Sequence, residues 1–225
     1  MKYFTYKLDL LMLNIFACVS IVVLTILTYI FTGSLDFITE INLFSFLMVF
    51  LWLGLHEVLH GVGFLSLGRV KLRNIVFGAE LEKGIFYCMC KEVISKLNII
   101  IAIFFPFVLI GIIPYIIGIL ISNNLLIFLA VFNMAGSIAD IIMGINILVM
   151  PNDIKYLDLD DNTGVTILSK KSLNMKKYFL IILEKFGKYN DNIKAKDYKK
   201  ITICKGSKYV FVVFILLFIV SVFFC

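Results

Sequence analysis

Histidine is nearly absent from this chain of 225 residues, which has two. Charge is scarce too: Asp, Glu, Lys and Arg make up 16%, against about 25% in a soluble domain. Three prolines and no low-complexity tract argue against a disordered or fibrous protein. Five cysteines (Cys18, Cys88, Cys90, Cys204, Cys225) are scattered without a disulfide framework. Cys88 and Cys90 form C-x-C, not the C-x-x-C of a metal knuckle or redox pair, and the set reads as thiols of a reducing compartment. No internal repeat is visible, which counts against a transporter built from inverted halves.

What fills the chain is apolar. Hydrophobic residues make up 61%, 22 of them phenylalanine, and the mean hydropathy is +1.02. About 45–50% is usual for a soluble domain. Five runs are candidates to cross hydrocarbon, at 10–32, 41–67, 97–121, 125–150 and a shorter one at 209–225. The first follows a short basic start (Lys2, Lys7). It is too long for the core of a cleaved leader and lacks a small-residue cleavage site, so it reads as a retained span.

With five spans, the N-terminus and the 68–96 and 151–208 loops share one side. They hold 2, 6 and 13 Lys and Arg, all 21 in the chain, and the 33–40 and 122–124 loops hold none. Basic residues collect in cytoplasmic loops, so this predicts an integral membrane protein with its N-terminus inside and its C-terminal tip outside. The net charge of +6 is then accounted for by topology and anionic lipid, and nucleic acid is not an expected partner. Within the basic segments, "KKYFLIILEKFGKY" (176–189) predicts an amphipathic helix along the inner surface. "VKLRNIVFGAELEKGIFYCMC" predicts a β-hairpin over 70–78 and 84–90.

Both histidines lie in one apolar stretch, "LWLGLHEVLHGVGF". H-E-x-x-H on a helix sets His56 and His60 one turn apart, where they can share a zinc ion with Glu57 beside them as general base. Strongly polar groups inside a span are rare unless they serve a function. A catalytic zinc takes a third protein ligand. The fourth span supplies Asp140, its only carboxylate. His56 and Asp140 each stand 16 residues into spans running in the same direction, about 24 Å of rise, so they should meet at one level. Asn133, Ser137, Asp140 and Gly144 recur at helical spacing as a polar or small stripe facing the interior. Glu80, Glu82 and Glu92 of the hairpin loop are rival third ligands. The acidic cluster Asp158, Asp160 and Asp161 reads as a solvated turn.

These motifs resemble the site-2 protease group of intramembrane metalloproteases. That group carries H-E-x-x-H in one span and an aspartate in a later one, within an N-x-x-P-x-x-x-x-D-G pattern. Asn133 and Asp140 follow it incompletely: they are seven residues apart, and the Pro and the D-G are missing. A closer resemblance is to a small bacterial zincin-peptidase family of unknown function. It rests on H-E-x-x-H-G (His56 to Gly61), the proline-bearing "IAIFFPFVLIGIIP", the set Gly136, Ser137 and Asp140, and "MPNDIKYLDLDD". It covers about residues 41–168. The likeness implies a zinc peptidase and supplies no substrate. The expected setting is a bacterial cell membrane, with a membrane protein or peptide as partner, and Asn133 is expected to hold the substrate backbone.

The expectation is therefore an all-α polytopic membrane protein of about five transmembrane helices with a small cytoplasmic-side hairpin. Its parts are an anchor and outer loop (1–40), a zincin core (41–168), and a basic segment with a last helix (169–225). Its function is that of a zinc metalloprotease using Glu57 as base. A zinc transporter or a non-catalytic scaffold is the alternative.

Overall fold

The computed structural model describes residues 2–7, 10–66, 68–80, 85–157, 164–170 and 183–188. Helix α1 (Leu10–Thr32) is uninterrupted and apolar. Val19, Val22, Ile26 and Ile30 stand exposed along it, a surface that lipid satisfies and water does not. Helix α2 (Leu43–Ser66) starts at a reciprocal cap: Ser45 N–H donates to Asn42 Oδ1 at 3.0 Å and Asn42 N–H to Ser45 Oγ at 3.1 Å. The third helical stretch runs as α3 (Lys96–Pro106), a π-helical segment (Phe107–Ile112) and α4 (Ile113–Leu120). Stretches 13–32, 43–66 and 96–120 are long and apolar enough to cross a membrane.

The fourth expected span is two helices, α5 (Asn124–Gly136) and α6 (Ile138–Val149), bent by 52°. The bend falls at Gly136–Ser137, a pair that commonly kinks helices. Ser137 leaves the helical region at φ −76°, ψ 6°, and its Oγ–H donates to the Asn133 carbonyl at 2.8 Å. Together the pair passes as one further span. The span expected at 209–225 lies outside the described residues, as do Asp158, Asp160 and Asp161.

The hairpin is present as β2 (Ile75–Glu80) and β3 (Ile85–Cys90), in antiparallel register from Ile75↔Cys90 to Glu80↔Ile85. Its open end is tied by Lys91 N–H to the Asn74 carbonyl at 2.8 Å and by Asn74 Nδ2 to the Glu92 carboxylate.

The all-α expectation needs correcting. Strands β4 (Ile94–Ser95), β5 (Lys155–Leu157), β6 (Gly164–Ser169), β1 (Lys2–Lys7) and β7 (Leu183–Lys188) form an antiparallel sheet in that order. The short basic start is thus the strand β1. Residues 183–188, expected within an amphipathic helix, are the strand β7; 176–182 lie outside the described residues. Both were hidden for one reason: their partners are distant in sequence, and β1 offers an open edge of backbone donors and acceptors that outweighs local helical periodicity.

Two apolar clusters hold the fold. One joins Phe37, Ile127, Phe128, Leu129 and Val131, with Trp52 and Tyr115 against them. The other joins helix ends to the sheet through Phe64, Ile99, Ala102, Ile147, Tyr156 and Ile167. Lys96 links two helix termini, its Nζ donating to the carbonyls of Leu148 and Met150 at the end of α6 at 2.9 and 2.5 Å. The two histidines fall on α2 between the clusters.

Candidate metal centre

His56 and His60 sit one turn apart on α2 with both rings buried. Each ring has its Nδ1 side occupied by an acceptor. His60 Nδ1–H donates to the Ala102 carbonyl of α3 at 2.9 Å, and His56 Nδ1–H to Asn133 Oδ1 of α5 at 3.0 Å. A carbonyl oxygen only accepts, so the neutral rings carry their proton on Nδ1 and leave Nε2 bare.

The two bare nitrogens face each other at 3.0 Å. Asp140 Oδ2 completes a triangle at 3.0 Å from His56 Nε2 and 3.4 Å from His60 Nε2. Three acceptors this close repel one another unless a proton or a metal ion sits among them. The spacing is close to what a metal ion would set, two of the three separations being a few tenths of an ångström tighter. With zinc bonds of about 2.0–2.2 Å, the ligand atoms of a tetrahedral site lie about 3.3–3.5 Å apart. The residues present therefore fit zinc.

The local sequence explains how the helices come so close. A Cβ at Gly63 would lie 2.9 Å from Ala102 Cα, so α2 meets α3 backbone to side where only glycine fits. Gly144, one turn beyond Asp140, packs in the same way on the ring of Phe104. The kink at Ser137 puts Asn133 and Asp140 on separate helices, yet both reach His56.

Glu57 is half-buried next to the pair, its carboxylate within 4.8 Å of the histidine nitrogens. It accepts a hydrogen bond from the backbone N–H of Cys88 in β3. The hairpin thus lies directly on the motif, with Gly61 making room for the Phe77 ring and the Cys88 thiol.

Of the rival ligands, Glu92 is held by Asn74 away from the histidines. Glu82 and the side chain of Glu80 lie outside the described residues. Cys90 is fully buried with its thiol toward the Glu92 carbonyl at 3.7 Å. Sequence reasoning missed the Ala102 carbonyl and the Cys88 N–H, because backbone groups carry no residue signature. It placed Asn133 near a substrate, whereas here Oδ1 faces His56 and Nδ2 is buried without a hydrogen-bond partner.

Residues 49–155 match the family described as "Putative zincin peptidase". That zincin stretch is a little under half of the chain and contains His56, Glu57, His60, Asn133 and Asp140. It runs from α2 to the start of β5, taking in α3, α5 and α6, which face the motif, and both strands of the hairpin. No curated protein and no solved structure matches the chain.

Proposed function

We propose that the protein is a membrane-embedded zinc metallopeptidase that hydrolyses peptide bonds of membrane or membrane-proximal substrates. The carrying observation is the triangle of His56 Nε2, His60 Nε2 and Asp140 Oδ2 with the Glu57 carboxylate alongside. His56, His60 and Asp140 would hold the metal. When bound, zinc supplies a Lewis acid that acidifies water and polarises a peptide carbonyl. Glu57 takes the proton of the attacking water on a carboxylate oxygen and returns it to the leaving amine. The Cys88 N–H holds that carboxylate in place. Asn133 orients His56 through Oδ1, and its unpartnered Nδ2, enclosed against Gly111, would meet a substrate carbonyl only once the surrounding helices part.

A helical substrate hides its scissile bond in its own hydrogen bonds, so it must be drawn out before cleavage. The hairpin beside Glu57 offers a strand to which an extended segment can add. The charge partition supports an orientation with the basic loops and N-terminus on the cytoplasmic side. We take the membrane to be that of a bacterial cell and the site to open toward the cytoplasmic side.

The test compares wild type, Glu57→Gln and Asp140→Ala in detergent, measuring zinc content and cleavage of tagged transmembrane peptides. Glu57→Gln should keep about one zinc and lose cleavage by about 10²–10⁴-fold. Asp140→Ala should lose both. Cleavage that survives Glu57→Gln, or a wild type without zinc, would end the peptidase reading.

A further inference from the structure

Two prolines in the third membrane stretch each lack the N–H that would close the turn behind them. Pro106 stands four residues after Ala102, and Pro114 four after Ile110. The next residue does not fill the first gap, because Phe107 N–H turns to the Phe104 carbonyl. Both carbonyls are taken by side chains of α2. His60 Nδ1–H donates to Ala102 and Trp52 Nε1–H to Ile110, each at 2.9 Å.

The two pairs lie eight residues apart on both helices, in opposite order, as antiparallel neighbours in register must. Two points about 12 Å apart along the helices are thus pinned through carbonyls opposite prolines. One of the pins is a ring of the metal site.

We propose that Pro106 is a positioning residue for His60. By withholding an N–H it leaves the Ala102 carbonyl as a fixed acceptor facing α2. That acceptor selects the Nδ1–H tautomer of His60 and aims Nε2 at His56 and Asp140. Gly63 supplies the close approach, and Pro106 supplies the vacancy on the carbonyl. This rests on the metal reading above and adds to it a residue that touches neither metal nor substrate.

Pro106→Ala returns the N–H, which then competes with His60 for Ala102. Zinc affinity, read by chelator competition in detergent, should fall by about 10–100-fold, the usual cost of losing a partner behind a metal ligand. The visible bands of the cobalt-loaded protein should change with it. The metal-free thermal midpoint should not fall, since alanine is the better residue inside a helix. A proline that merely shaped the helix would give the opposite pattern, a shifted midpoint with affinity intact. Pro106→Ser restores the same N–H and should reproduce the loss if the alanine variant does not insert. Zinc affinity equal to wild type in a folded variant overturns the proposal and leaves the metal reading standing. A wild type that binds no zinc overturns both.

Discussion

Gly63→Ala is the sharpest test of how the helices hold the site. The added Cβ would stand 2.9 Å from Ala102 Cα, whereas carbon–carbon contacts settle at about 3.5–4.0 Å. The obstacle is backbone, so α2 and α3 must part by roughly 0.6–1.1 Å. The bond from His60 to the Ala102 carbonyl would then stretch from 2.9 Å to roughly 3.5–4.0 Å, beyond the range of an N–H···O hydrogen bond. Overpacking costs about 1–3 kcal/mol, and the lost hydrogen bond adds about 1 kcal/mol. Zinc affinity should fall by about 10–100-fold as His60 loses its aim. Thermal unfolding in detergent reads the first effect, and chelator competition the second. A variant that melts earlier but binds zinc as tightly as wild type would refute the link between this contact and the metal site.

Two other outcomes follow from the same geometry. Asn133→Ala removes the acceptor behind His56 and should weaken zinc by about 10–100-fold. Its metal-free midpoint should move little, because a buried Nδ2 without a partner disappears with it. Chelating the metal should lower the thermal midpoint of wild type, since binding at 100 times Kd contributes about 2.7 kcal/mol. The drop should vanish in Asp140→Ala, and a chelator-insensitive wild type would count against a metal among the three acceptors.

The membrane helices were readable because hydrocarbon imposes a length and a composition that each run carries locally. The hairpin was readable because its strands are neighbours in sequence. Strand β1 was not, since "KYFTYK" pairs with residues more than 150 positions away. The same holds for β7, whose residues 183–188 have helical spacing of their own but pair with β1. His56, Glu57 and His60 were legible as a motif with fixed spacing. Asp140 stood out as the lone carboxylate of its span, and the structure brings it to the histidines. The straight helix assumed for that argument is bent at Ser137, so the stripe from Asn133 to Gly144 is split between two helices, with Asn133 and Asp140 still meeting at His56. Pro106 was visible as a residue of the third span. Its link to His60 was not, because the connection passes through a carbonyl that every residue has.

The five-stranded sheet also acts as a parity rule on the chain. Backbone hydrogen bonds between strands form only in one compartment, so an even number of crossings must separate residues that pair. Strand β1 precedes α1 and its partner β6 follows α6. Three long helices between them would leave the two strands on opposite sides of a bilayer. Where the three long helices cross, the kinked α5–α6 pair must go through the membrane as well rather than enter and turn back. Strand β4 obeys the same count, with two passages before it and two after. Asp140 is then carried by a through-going segment, and a change that turned the kink into a re-entrant loop would dismantle the sheet at the same time.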